Sequence, residues 1–251
     1  MSKQTETKRA RYAFPYIIVT LMLALVCSNL PGAVFGQGAS RSGIKIGIIG
    51  SGNLGGTVGT LWVKSGHPVL FSSRHPEQLK KLVDGLGPLA RAGTVREAFA
   101  FGDVIFIAVP YGAYPQIGKD YAQELKGKIV IDAGNAVPGR DGEITKEASE
   151  KGIGLTSAKY LAGARIVRAF NTLNYRRLPA LANRPESRIG IPMAGDDQEA
   201  LAIASSLVRD AGFDPVIIGS LERATDFARG APLYGQEITA EEMKERAKTI
   251  R

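Results

Sequence analysis

The run Ile44-Lys45-Ile46-Gly47-Ile48-Ile49 is apolar at nearly every position, as a central parallel strand buried on both faces should be. The period then changes. Leu54, Val58, Leu61 and Trp62 recur at three- and four-residue spacing and predict a helix, with Trp62 as a packing residue. Gly66 ends that helix, and His67-Pro68 leads into a second strand, Val69-Leu70-Phe71-Ser72. Asp103 to Pro110 and Lys128 to Asp132 predict two more strands, with a helix from Tyr114 to Leu125 between them. Ile166 to Phe170, Ile189 to Met193 and Asp214 to Ile218 predict three further strands, and Asp196-Asp197 caps a helix from about Gln198 to Ala211. Thr239, with Glu242 three residues later, has the spacing of a capping box at the head of a terminal helix reaching Arg251. This alternation predicts an α/β fold: a Rossmann-type doubly wound parallel sheet over residues 44–155, with a small α/β extension and terminal helix over 156–251.

The N-terminal pattern is different. Lys8, Arg9 and Arg11 precede an apolar run from Ile17 to Cys27 in which Thr20 is the one polar residue, and Pro31-Gly32 then break any helix. A basic head, an apolar middle and the permissive Val34-Phe35-Gly36 form the order of a secretory signal over residues 1–36. Phe14 to Gly36 carries no charge, so residues 14–36 also suit a membrane anchor, against which Pro31 counts. Both readings place the main domain outside the cytoplasm, exported or periplasmic, and cleaved or tethered. It is cytoplasmic if the segment does not act as a signal. Residues 37–43, Gln-Gly-Ala-Ser-Arg-Ser-Gly, read as a linker.

Composition narrows the chemistry. Of the net charge of +8, residues 1–36 hold +3 (four basic residues against Glu6), which leaves +5 for the rest. That surplus suits an anionic cofactor, and without aromatic-basic interleaving it does not call for nucleic acid. The single cysteine, Cys27, lies in the apolar segment, so the remainder has no disulfide, cysteine-rich zinc site or cysteine nucleophile. Both histidines, His67 and His75, fall in the first half, and no His/Asp/Glu cluster has metal-ligand spacing. Lys159 is a candidate acid, weighed against an ordinary structural lysine. Hydride passage between two stacked rings needs no such group, because positioning does most of the work.

The candidate site begins where the first strand meets the first helix, at Gly50-Ser51-Gly52-Asn53-Leu54-Gly55. The glycines in this order permit a tight turn, a close approach of pyrophosphate to backbone, and close packing of helix on strand. The helix N-terminus offers amides and a positive dipole end to phosphate. At the tip of the second strand, where an NAD site places an acid, the chain reads Ser72-Ser73-Arg74-His75. Ser73 and Arg74 can donate to a 2′-phosphate, so NADP(H) is the expected cofactor. Val109, Pro110, Asn135 and Ala136 come just after strand ends and are expected near the ribose and nicotinamide.

Taken in order, these motifs resemble a known family: the glycine fingerprint, Ser72-Ser73-Arg74, Ala108-Val109-Pro110, Asp132-Ala133-Gly134-Asn135, Ala169-Phe170-Asn171-Thr172, Met193-Ala194-Gly195-Asp196-Asp197 and Gly219-Ser220-Leu221-Glu222-Arg223-Ala224. The resemblance, over about residues 44–235, is to the NADPH-dependent coenzyme F420 reductases, whose nucleotide fold is shared with the reductase domains of six-transmembrane metalloreductases. It implies Ser51 to Leu54 at the pyrophosphate, Ser73 and Arg74 at the 2′-phosphate, and Val109, Ala136 and Asn171 towards the nicotinamide. It also implies a small-molecule electron acceptor, a deazaflavin or flavin, and a homodimer is one arrangement open to the chain. Two other readings stand beside the NADP(H)-dependent oxidoreductase: an exported nucleotide-binding module without turnover, and an imine reductase of the pyrroline-carboxylate type. The last predicts a long helical dimerisation domain, which the alternating second half does not suggest.

Overall fold

The structure, a computed structural model, describes residues 43–185 and 187–250. The expected signal or tether at 1–36 and all but the last residue of the linker lie outside the described residues. In chain order the first half contains β1 Ile46–Ile49, α1 Asn53–Lys64, β2 Val69–Ser72, α2 Lys80–Asp84, β3 Ala90–Gly93, α3 Val95–Phe101, β4 Val104–Ile107, α4 Tyr114–Asp120, α5 Ala122–Leu125 and β5 Ile129–Asp132. The second half contains α6 Ile144–Lys151, α7 Ile153–Tyr160, β6 Arg165–Arg168, α8 Leu178–Leu181, β7 Gly190–Gly195, α9 Gln198–Asp210, β8 Asp214–Gly219 and α10 Ala240–Thr249.

All eight strands join one sheet in the order β3-β2-β1-β4-β5-β6-β7-β8. The pairs from β3 to β6 are parallel. β7 runs antiparallel to β6, and β8 parallel to β7. The fold is thus the Rossmann-type α/β arrangement, and the C-terminal extension prolongs the same sheet. The order reverses between β1 and β4, which opens a crevice at the carboxyl ends of the parallel strands.

Alternate strand residues feed the two faces. Ile46, Ile48, Phe106, Ile131 and Val167 enter one core layer, while Ile105, Ile107, Val130 and Ile166 enter the other. Two buried faces are why these strands read as unbroken apolar runs. Trp62 is fully buried in the first layer, edge-on to Phe106 at 5.1 Å and Phe170 at 5.7 Å, and its indole N–H donates to the Leu207 carbonyl at 2.8 Å. It packs, as its helical spacing predicts. α1 lies close to the sheet because Gly59 faces it: a Cβ there would stand 2.3 Å from Ile48 Cδ1.

The expected Tyr114–Leu125 helix is broken at Tyr121, whose φ of −125° and ψ of 28° leave the helical region. The strand expected through Phe170 stops at Arg168, because Phe170 takes a φ of +62°. The capping box at Thr239 and Glu242 forms as expected. β3, α3, α6 and α7 have no clear apolar period. For α3, however, Thr94 and Glu97 form a capping box that is a usable signal. Among the described residues, no helix is long and apolar enough to cross a membrane.

Candidate functional site

The fingerprint turn sits at the crevice, and its glycines differ in what they do. Gly50 has a φ of +93°, and a Cβ on it would come within 2.5 Å of Val109 Cγ1. A Cβ on Gly55 would come within 2.1 Å of the Gly50 carbonyl oxygen, so the start of α1 can approach the strand only with glycine there. A Cβ on Gly52 would meet nothing within 4 Å. The open space over Gly52 is the approach that a phosphate needs. The first-turn amides of Asn53 to Gly55 have no intrahelical acceptor, as at any helix start. Ser51 donates its backbone N–H to the Ser72 carbonyl at 3.0 Å, while its buried hydroxyl has no partner among the described residues. An unpartnered hydroxyl, orphan amides and open space together fit a pyrophosphate.

The turn opens onto a cleft of about 560 Å³. Gly50, Ser51, Gly52, Ser73, Arg74, Val109 and Pro110 all line it, so the structure brings together most of the residues expected at the adenosine and ribose end. The Ser73 hydroxyl accepts the His75 amide at 3.1 Å and holds the β2 tip in a tight turn. Arg74 has no ion-pair partner among the described residues, and no carboxylate stands at the tip itself. His75 is exposed and lies 3.5 Å from Glu77.

Asn135 and Asn171 meet at the other end. Asn135 Nδ2 donates to the Asn171 carbonyl at 2.7 Å, and Asn171 Nδ2 donates to the Phe227 carbonyl at 2.9 Å and to Asn135 Oδ1 at 3.3 Å. These donations fix the Asn171 amide with its Oδ1 buried and unpartnered; the neighbouring Thr172 hydroxyl is buried and unpartnered too. Both asparagines line a second recess of about 440 Å³ with Leu54, Tyr175, Tyr234 and Glu237. The fingerprint leucine thus reaches the Asn135–Asn171 end. Phe170, just before Asn171, adopts a left-handed backbone that costs a side-chain-bearing residue about 1–2 kcal/mol. Ala136 lies apart, in a smaller recess of about 350 Å³ with Thr145, Ser149 and Arg229.

A wholly buried ion pair supports this end, and sequence reasoning missed it. Asp132 ends β5 and Arg168 ends β6, and the sheet register sets them opposite each other. Arg168 Nη1 donates to Asp132 Oδ2 at 2.6 Å. The other carboxylate oxygen accepts the Tyr114 hydroxyl at 2.5 Å and the Gly134 amide at 2.9 Å. The second terminal nitrogen of Arg168 donates to the Gly134 carbonyl at 2.5 Å. Tyr111 donates to the Ile153 carbonyl at 2.8 Å and lies 2.9 Å from the Ser157 hydroxyl. Burial pushes both tyrosine hydroxyls well above their ordinary range, and the Asp132 charge adds to this. Burial alone would lower the Arg168 pKa, but Asp132 and the tyrosines outweigh it and raise it further. Further along the loop, Asp141 accepts the amides of Gly112 at 3.1 Å and Val137 at 2.7 Å. Burial opposes its ionisation, yet Arg140 and these amides hold its pKa below the usual value.

The other titratable candidates stand away from both recesses. Lys159 Nζ donates to Glu147 Oε1 at 2.6 Å and lines none of the recesses described, which makes it a structural lysine. His67 is buried just beyond the C-terminal end of α1, 3.0 Å from Asp210 Oδ2. Among the described residues, no three His, Cys, Asp or Glu side chains group so as to hold a metal ion.

Residues 45–136 match the family model described as NADP oxidoreductase, coenzyme F420-dependent. Metalloreductase STEAP3 of Rattus norvegicus is 33% identical over 187 residues, which are 72% of this chain and 35% of that protein. The chain thus spans about a third of the length of this curated relative. The crystal structure of a hypothetical protein, SMa0349, from Sinorhizobium meliloti aligns with a TM-score of 0.66 at 26% identity, over 78% of this chain and 95% of that one. A putative F420-dependent NADP-reductase from Arthrobacter sp. FB24 aligns with a TM-score of 0.61 at 22% identity, over 73% of this chain and 88% of that one, a likeness of fold. Over residues 45–136 the family match bears out the resemblance read from the motifs.

Proposed function

We propose that this chain, which carries the F420-dependent NADP oxidoreductase match over residues 45–136, is an NADP(H)-dependent oxidoreductase acting on a flat, flavin- or deazaflavin-like acceptor. The observation that carries the reading is the cleft in which the fingerprint and the acid-free Ser73-Arg74 tip face the same space. When bound, NADPH supplies a hydride; the chain's own residues bind, orient and exclude water. Ser51 and the first-turn amides would hold the pyrophosphate, and Ser73 and Arg74 the 2′-phosphate. The fixed amides of Asn135 and Asn171 would orient the nicotinamide. Asn171 Oδ1, which lacks a donor, suits a carboxamide N–H. The recess between Asn171 and Tyr234 is the place for the acceptor ring. No proton donor is needed there if hydride passes ring to ring.

The test is a titration of the full chain with NADPH and NADH, and then turnover with a deazaflavin, a free flavin and a ferric chelate. The proposal expects tighter binding of NADPH and turnover with at least one acceptor. Binding without turnover on any acceptor refutes the oxidoreductase and leaves a nucleotide-binding module. Failure to bind NADPH refutes both. We further propose that residues 1–36 export the domain. A mature chain starting near residue 37 is expected, and a protein retained in the cytoplasm with Met1 intact refutes export.

A further inference from the structure

We infer that the buried pair Asp132–Arg168 is a positioning clamp that sets the Asn135–Asn171 amide pair at the nicotinamide end of the cleft, a role that rests on the NADP(H) reading above.

Removing two charges from water is expensive, and an apolar pair of similar volume commonly stabilises a core as well or better. Apart from Ser72, this Asp–Arg pair supplies the only buried polar side chains in the strands described, and it therefore calls for a role in geometry. Its bonds show where that geometry is applied. Asp132 accepts from the N–H of Gly134 and Arg168 donates to its C=O, so both backbone polar groups of one residue are gripped. The grip needs glycine: a Cβ at 134 would stand 2.3 Å from the Tyr114 hydroxyl and 3.0 Å from Tyr111 Cδ2. Tyr114 completes it by donating to the same carboxylate oxygen as Gly134.

The residue after gripped Gly134 is Asn135, whose amide is bonded to Asn171. Two residues beyond Arg168 stands the left-handed Phe170, and then Asn171. The clamp therefore holds the roots of both loops at once, one from β5 and one from β6. A left-handed phenylalanine persists only where its surroundings over-determine it. The clamp on one side and the Phe227 carbonyl on the other supply that constraint. Lysine at 168 keeps the charge but has no planar fork, so it cannot bond Asp132 and the Gly134 carbonyl in the same geometry.

The test separates the two halves of the cofactor. 2′,5′-ADP carries the adenosine and the 2′-phosphate and does not reach Asn135. Arg168→Lys is expected to weaken NADPH binding about tenfold and to leave 2′,5′-ADP binding unchanged. Asn171→Ala should do the same, and the double variant should be no weaker than Asn171→Ala alone, since both act through one contact. Should Arg168→Lys fail to fold, Tyr114→Phe removes one bond from Asp132 without cutting the ion pair, and a loss of about threefold confined to NADPH is expected. Equal losses for NADPH and 2′,5′-ADP, or no loss for either in a folded variant, overturn the clamp. If the unsubstituted protein binds 2′,5′-ADP and NADPH equally, the nicotinamide end contributes nothing and the clamp falls while the nucleotide site stands. If it binds neither, the NADP(H) reading falls first.

Discussion

Gly52 and Gly55 stand three residues apart, yet alanine at each should fail in a different assay. At Gly55 the new methyl would lie 2.1 Å from the Gly50 carbonyl oxygen. Reaching an ordinary 3.4 Å requires α1 to move about 1.3 Å from the strand turn, against a packed core. Overpacking of this kind costs about 1–3 kcal/mol. A displacement near 1 Å also moves the helix amides off the phosphate and can cost about a hundredfold in a positioned reaction. At Gly52 the methyl meets no protein atom within 4 Å. Alanine is a poorer helix cap than glycine by several tenths of a kcal/mol, while the loss of unfolded-chain entropy returns about as much. The stability of Gly52→Ala should stay within about 1 kcal/mol of the native protein. NADPH affinity should nevertheless fall at least about tenfold, because the methyl fills the phosphate approach. Urea unfolding without cofactor, paired with NADPH titration, reads both quantities. A Gly52→Ala protein that binds NADPH like the native one, or that is destabilised as much as Gly55→Ala, would refute this division of roles.

Arg74→Asp should weaken NADPH binding about tenfold or more and NADH binding much less, since a charge-assisted contact is worth about 1.5–3 kcal/mol; equal losses in parallel titrations would exclude a 2′-phosphate role. Trp62→Phe removes the indole donor from the Leu207 carbonyl, which keeps the Ala211 amide at 3.0 Å, and leaves part of the buried ring volume empty; it should cost about 2 kcal/mol, read by circular dichroism because Trp62 is the only tryptophan. Hydrogen bonds from Lys159 and Tyr160 hold the Glu147 carboxyl down at about 2, against 4.5 for the free side chain. A depressed carboxylate stabilises the fold above the unfolded value and loses that contribution as pH falls. Urea midpoints should therefore decline between pH 4.5 and 2, with a shallower decline in Glu147→Gln; an identical slope in the variant would exclude the assignment.

Periodicity decides which elements are legible in the sequence. β1, α1, β2, β4 and β5 announce themselves because strands buried on both faces are apolar throughout and α1 repeats at helical spacing. β3 does not. Its four residues, Ala90-Arg91-Ala92-Gly93, lie at the sheet edge and leave Arg91 and Ala92 exposed, so no apolar run exists to be seen. The site divides in the same way. The phosphate end is local: turn, helix start and strand tip lie within 25 residues, Gly50 to Arg74, and their chemistry is carried by residue type. The proposed nicotinamide end is built from residues 36 apart that meet only through sheet register. In the sequence Asp132 looks like an ordinary charge closing a strand, and Arg168 like a charge inside the strand expected over Ile166 to Phe170. Only the β5–β6 pairing makes them one unit.

At β7 the chain direction reverses. β6 ends at the cofactor edge of the sheet, and because β7 runs the other way it starts there, so the chain between them stays at that edge. A later segment returns to the same place: Gly235 donates to the Thr172 carbonyl, and Gly190 to the Ile238 carbonyl. The recess at the Asn135–Asn171 end is therefore walled largely by residues 171–175, 234, 235 and 237, none of which lines the cleft at the phosphate end. The molecule is separable in an engineering sense. On the proposed reading, exchanging residues 172–175 and 234–237 for others of equal span should alter what is reduced, while Asn171 and the residues that choose the nucleotide stay where they are.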